Sequence, residues 1–267
     1  MDIRSLEPAR ADRGLRPARP GARESRPPGW WHKLLFALLF AQLGLMSLLW
    51  NLAALAFSLV LPRRVASRIG RTAIMVIYRS AWAAAETFGL MRIDASGLDV
   101  LRDEPGGLVI AANHPSMLDA LIVVAHLPRG VCIMKADLLR NIFLGGGARL
   151  ARYIRNDSGR GMVRDAVASL REGNQLVFFP EGTRTVRAPV NAFQPGVTFV
   201  AHLAQVPIQT VLIEIDSNYL AKGWPLLTAP PVPVVVRVRL GERFTPGPDH
   251  RASLRLLENY FARELRK

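Results

Sequence analysis

Residues 107–119 read Gly-Leu-Val-Ile-Ala-Ala-Asn-His-Pro-Ser-Met-Leu-Asp, and how this stretch folds decides the architecture. The apolar run 107–112, preceded by the turn-forming Pro105-Gly106 and closed by Asn113-His114, has the length and flanks of a buried strand. Pro115 then opens a helical segment over 115–127, because proline is well tolerated at a first helical position, where its missing N–H has no intrahelical role. Strand, sharp turn and helix form the unit from which α/β domains are built.

The same alternation continues along the chain. Strands are predicted at about 107–112, 130–134, 175–179, 207–215 and 232–240, with helices near 115–127, 136–150, 159–172, 195–204 and 250–266. The expected fold is α/β, a mainly parallel central sheet flanked by helices. In 236–240 the Val-Arg-Val-Arg-Leu alternation gives one dry and one charged face, as suits an edge or half-exposed strand.

Chemistry is carried by two short segments. His114 falls at a strand end, where α/β folds collect their ligands, and Asp119 follows about one helical turn later, close enough to hold the imidazole in one tautomer. A lone histidine at a helix start is usually just packed. What changes the reading is Phe179-Pro180-Glu181-Gly182-Thr183-Arg184, after the strand Gln-Leu-Val-Phe-Phe. Pro180 ends sheet pairing, Gly182 permits a tight turn, and Arg184 offers the two-pronged donor that matches a phosphate. Glu181 is assigned to the acceptor's hydroxyls or to bracing Arg184. A proton acceptor, its orienter and an anion clamp suit acyl transfer to a phosphate-bearing alcohol.

In this order and spacing, His114-x4-Asp119 and the 179–184 block resemble the signatures of the glycerolipid acyltransferases, of the 1-acylglycerol-3-phosphate acyltransferase type. The resemblance covers roughly residues 100–215. It implies that Glu181, Gly182, Thr183 and Arg184 bind the acyl acceptor, and that Lys135 and Arg155 are basic candidates to share its phosphate. Tyr153-Ile154-Arg155 lacks the acidic neighbour common in the family, Gln194 stands where a lysine is common, and Thr210 replaces a second proline after Val206-Pro207-Ile208. These departures bear on the acceptor. The implied reaction needs no metal and no cofactor beyond the donor thioester, acyl-CoA or acyl carrier protein, and the implied acceptor is a lysophospholipid.

The 267 residues allow one substantial core plus an appendage, and the net charge is +14. Residues 1–29, rich in Arg, Pro, Gly and Ala, are expected to be a disordered basic tail. Residues 34–61 carry no charge. As a helix they would be roughly 42 Å long, against a hydrocarbon core of about 30 Å. Such a run argues for membrane lipids as a partner and against nucleic acid. Basic clusters flank it on both sides: Arg4, Arg10, Arg13, Arg16, Arg19, Arg23, Arg26 and Lys33 before, then Arg63, Arg64, Arg68, Arg71 and Arg79 after. A single crossing would expel one cluster from the cytoplasm. The expectation is therefore a helix embedded without crossing, a second amphipathic helix over 65–91 in the interface, and a catalytic domain over 93–267. Residues 30–92 are the anchor, on the cytoplasmic face of a bacterial inner membrane. The single cysteine, Cys132, sits in a strand-like run and reads as packed. His32, His126, His202 and His250 read as structural or surface residues. Alternatives are an acyltransferase of the same family with a different acceptor (a lyso-amino-lipid, or a polyene or polyketide alcohol), a membrane-bound thioesterase, and a non-catalytic membrane scaffold.

Overall fold

A computed structural model describes residues 25–157 and 159–266. The order is α1 Trp30–Val60, α2 Arg63–Thr87, β1 Met91–Asp94, β2 Leu108–Ala112, α3 Leu118–Val124, β3 Gly130–Met134, α4 Gly145–Leu150, β4 Ile154–Arg155, α5 Gly159–Arg171, β5 Gln175–Phe178, α6 Gly196–Ala204, β6 Ile208–Ile215, β7 Val234–Phe244 and α7 His250–Glu264. The seven strands form one sheet, β1-β7-β6-β2-β5-β3-β4, in which every pairing is parallel except β6 with β7. The mainly parallel α/β sheet is as the sequence predicts.

Central strands are apolar on both faces because helices cover both. Every residue of β2 is buried. Ile110 and Ala112 join the core shared with α1, α2 and α3, whereas Val109 and Ala111 face α5, α6 and α7. The sheet thus divides the molecule into an α1–α2 side and an α5–α6–α7 side.

Some expectations change. β7 lies between β1 and β6, so the Val-Arg alternation marks a half-exposed interior strand: Val234, Val236 and Val238 are buried while Arg239 pairs with Glu214 at 3.0 Å. The edges are β1 and β4, of four and two residues. Short edges offer little template for unwanted pairing. Predicted helix 136–150 is a 3-10 turn, Ala136–Arg140, followed by α4. Of the predicted tail, residues 1–24 lie outside the described residues; Arg26 is held by Val232 through two backbone hydrogen bonds of 2.8 and 2.9 Å.

Helix α1 is one continuous helix fastened along its length. Phe36 packs on Tyr219 with ring centroids 5.6 Å apart. One turn after another, Leu39, Phe40, Leu43 and Trp50 meet the core, while Ser47 and Ala54 are buried. Asn51 accepts the backbone N–H groups of Gly146 and Gly147, the latter at 3.0 Å, and donates to the Ile142 carbonyl at 2.6 Å. The Gly145-Gly146-Gly147 triplet is thus a packing surface: a Cβ on Gly147 would lie 2.7 Å from Trp50 Nε1. Arg71 of α2 also turns inward, bonded to Ala151 O and Asn174 Oδ1, and so leaves the interfacial basic set.

Candidate active site

The C-terminal ends of β2 and β5, neighbours in parallel register, bring the two segments together. Asn113 fastens the end of β2 to β6 by exchanging hydrogen bonds of 2.8 Å with the Ile213 backbone. His114 follows, its ring stacked on Phe179 with centroids 4.2 Å apart. His114 Nδ1 lies 3.0 Å from Asp119 Oδ2, which also accepts the Ser116 N–H at 2.7 Å. The imidazole is one-fifth exposed and Asp119 is fully buried. With Nδ1 committed to the carboxylate, Nε2 is the nitrogen left to take a proton. Burial pushes the Asp119 carboxyl up to about 6 against the opposing pull of its His114 hydrogen bond; its Oδ1 has no hydrogen-bond partner among the described residues.

Helix α3 begins later than predicted, at Leu118, because Ser116 and Asp119 build the turn ahead of it. The backbone N–H groups of this turn are all used: Ser116 N–H goes to Asp119, Met117 N–H to Leu220 O, Leu118 N–H to Ser116 Oγ and Asp119 N–H to Ser116 O. The donors free in this region belong to the other turn. Among the described residues, the N–H groups of Thr183 and Arg184 have no hydrogen-bond partner.

Gly182 adopts φ +66°, the left-handed conformation that favours glycine. Glu181 is buried, and its carboxylate bonds within the protein. Oε1 accepts the His114 N–H at 2.9 Å and the Thr185 hydroxyl at 2.8 Å, and Oε2 accepts the Asn191 N–H at 2.8 Å. Glu181 therefore braces the histidine backbone and its own loop, with three of its four acceptor positions taken. Arg184 donates from Nη1 to Leu220 O and Ala221 O at 2.8 and 3.0 Å. Its Nε and Nη2 make no hydrogen bond among the described residues, so a half-buried fork remains for an anion. Thr183 is half-buried beside it and Gly182 is exposed.

A third wall stands beside the two turns. Residues Tyr219–Ala221 close over both turns: Ser116 Oγ donates to Tyr219 O, and Leu220 O accepts from both Met117 N–H and Arg184. Leu220 holds φ +54° there. Tyr219 also packs against Trp224, with ring centroids 6.0 Å apart.

Lys135 is exposed at the C-terminal end of β3, next to β5 and on the same sheet edge as the site. Arg155 is not brought in. It ends the outermost strand and is tied to Asp157, which raises its pKa further through that hydrogen bond. Burial pushes the Cys132 thiol up to about 12, in keeping with packing. His126 pairs with Asp99 at 3.2 Å, His32 accepts the Gly29 N–H, and His202 and His250 pack on one another.

At the C-terminal edge of this mainly parallel sheet, a histidine backed by a buried aspartate stands beside a free arginine fork. Residues 92–214 match the family model described as Acyltransferase. The chain is 32% identical over 121 residues to human 1-acyl-sn-glycerol-3-phosphate acyltransferase beta, covering 42% of each. It is 30% identical over 125 residues to a lysophosphatidylcholine acyltransferase of Drosophila melanogaster, covering 44% of this chain and 22% of that one. It thus spans less than half the length of these curated relatives. The fold is similar to the crystal structure of the 1-acyl-sn-glycerophosphate acyltransferase of Thermotoga maritima, with TM-score 0.66 and 19% identity over 88% of this chain and 94% of that one. Residues 92–214 are thus similar to the Acyltransferase family, and they contain both His114-x4-Asp119 and the 179–184 block.

Proposed function

We propose that this protein transfers a fatty acyl group from a soluble thioester, acyl-CoA or acyl carrier protein, to the free hydroxyl of 1-acylglycerol-3-phosphate, giving phosphatidic acid at a membrane surface. The observation that carries the reading is the commitment of His114 Nδ1 to buried Asp119 beside an arginine with unused donors. His114 Nε2 takes the proton from the acceptor hydroxyl as its oxygen attacks the thioester carbonyl. Asp119 stabilises the imidazolium that forms. The tetrahedral intermediate collapses, the carbon–sulfur bond breaks, and the thiolate leaves with the proton returned by His114. Arg184 Nε and Nη2, with the free N–H groups of the 182–184 turn, hold the acceptor phosphate; exposed Lys135 adds charge at the same edge.

The membrane surface is supplied by α1, long and apolar enough to cross a bilayer. Its exposed leucines, including Leu38, Leu45, Leu49, Leu52 and Leu55, form the side away from the core. Attachment along 36–54 argues for embedding in one leaflet. A perpendicular span would draw Tyr219, Phe143 and the α4 turn into hydrocarbon with it.

The test is mass spectrometry of products made by purified protein in lipid vesicles from a panel of lyso-acceptors, each offered with both donors. Phosphatidic acid as the principal product is expected. Acylation of lyso-acceptors lacking a phosphate in preference to 1-acylglycerol-3-phosphate would overturn the acceptor assignment, and thioester loss with no acylated product would mark a thioesterase.

A further inference from the structure

The side of the sheet opposite α1 and α2 carries a feature the catalytic reading leaves unused. Between α5 and α6 runs a groove of about 720 Å³, its floor apolar and its α5 rim basic. Phe199 and Leu203, one turn apart on α6, are 37% and 39% exposed there, beside the half-buried Val163. Arg160, Arg164 and Arg171 line its other bank, at helical spacings i, i+4 and i+11 that share a face. Arg164 is paired with Asp165 at 3.0 Å, both well exposed. Arg160 and Arg171 have no carboxylate partner among the described residues, and Arg171 donates to the Leu203 carbonyl at 3.2 Å, which sets it over the groove.

A neighbouring polar cleft of about 540 Å³ on the β4 side of α5 has the opposite character. Its arginines are already satisfied: Arg152 by Glu172, Arg155 by Asp157, and Arg71 by Ala151 O and Asn174. Of the two clefts flanking α5, the α5–α6 groove is the one with exposed arginines lacking a carboxylate partner among the described residues.

Resting on the acyltransferase reading, we infer that the α5–α6 groove docks an acidic amphipathic helix of the carrier protein that delivers the acyl thioester. The chemistry is complementary in both parts. An amphipathic helix lays its apolar stripe on Val163, Phe199 and Leu203, while flanking carboxylates meet Arg160, Arg164 and Arg171. The placement also suits delivery. Gly159, where α5 begins, follows shortly after β4, which ends at the same sheet edge as His114, three strand spacings or about 14 Å away across the sheet. A thioester on a flexible prosthetic arm can cover that span. The groove lies across the sheet from α1, so a soluble partner approaches it while α1 is engaged with lipid.

The experiment compares full-length wild type with Arg160→Glu and with Arg160→Glu/Arg171→Glu, using palmitoyl-loaded acyl carrier protein and palmitoyl-CoA as donors, in vesicles containing 1-acylglycerol-3-phosphate. The reversals are expected to raise KM for the carrier-protein donor on the order of tenfold, with kcat and the KM for palmitoyl-CoA unchanged. The carrier-protein KM of wild type should rise with salt, and a carrier protein with compensating lysines should rescue Arg160→Glu. Binding of the loaded carrier protein to immobilised enzyme, read by interferometry, should weaken in parallel. Unaltered carrier-protein KM and binding in Arg160→Glu, or wild-type turnover with palmitoyl-CoA alone, would overturn the docking site and leave the acyltransferase reading standing. Absence of transfer from either donor would remove that reading, and this inference with it.

Discussion

Asp119 governs what His114 can do, and its own position is unfavourable. A fully buried carboxylate with one oxygen unpartnered is costly, which is why burial lifts its pKa to about 6. Because the folded value lies above the unfolded one, Asp119 stabilises the fold most at pH below the unfolded range near 4. That contribution is lost as pH rises through about 6. Measured against Asp119→Asn, wild-type melting temperature should therefore fall between pH 4 and pH 7.5; a difference that does not move with pH would show that Asp119 is not strained as described. Activity runs the other way, because Asp119→Asn cannot support an imidazolium and should be severely impaired at every pH. His114→Ala should lose about 10²–10⁴-fold in kcat with the fold intact by circular dichroism. Glu181→Gln separates two roles. Glu181 only accepts, from three donors, so an amide N–H in its place must face at least one of them, at a cost of about 1–3 kcal/mol. The expected outcome is a lower melting temperature and lower kcat with acceptor KM little changed. A rise confined to acceptor KM would return Glu181 to the acceptor.

Among the elements, those legible in the sequence are the ones whose cause is local. β2 and β5 are apolar runs bounded by turn residues, and the His114–Asp119 pair spans five positions. β1 and β4 pass below notice because four and two residues carry no period. The late start of α3 comes from side-chain to backbone bonds around Ser116 that compete with the helix. The remainder of the site is held by distant partners: Glu181 with His114 across 67 positions, Asn113 with Ile213 across 100, and Ser116 with Tyr219 across 103. Sequence shows the residues and not such pairings. Asn51 is the informative case. An amide in an uncharged helix has no evident reason until α4 presents its N–H groups. Asn51→Leu leaves those donors and the Ile142 carbonyl unpartnered, at about 1–3 kcal/mol per buried group. Gly146→Ala would set a Cβ 2.6 Å from Asn51 Oδ1 and 2.8 Å from its carbonyl, against backbone that cannot yield cheaply. Both variants should lower the melting temperature and speed proteolytic cleavage between α1 and α2. Unaltered melting and cleavage would mean that α1 is held by lipid rather than by the catalytic domain.

At the scale of the whole molecule, the question is how a chain with basic clusters on both sides of one apolar helix sits in a bilayer. Arg63, Arg64, Arg68 and Arg79 follow α1, and seven arginines with Lys33 precede or open it. Sending either cluster across is disfavoured. The packing of α1 supplies an independent reason, since its attached face runs from Phe36 to Ala54, eighteen steps or about 27 Å of helix at 1.5 Å per residue. A helix bound to its own domain over nearly the thickness of the hydrocarbon core has no free length with which to cross it. The preceding segment and the catalytic domain should then lie on the same, cytoplasmic side. The measurement uses single cysteines at Ser5 and Arg251, the latter exposed on α7 across the sheet from α1, in a Cys132→Ser background. Intact cells are treated with an impermeant thiol reagent, and lysed cells serve as the control. Both positions should be protected in intact cells and labelled after lysis. Labelling at Ser5 with protection at Arg251 would establish a crossing helix, and the attachment of α1 to the domain would then have to break in the membrane.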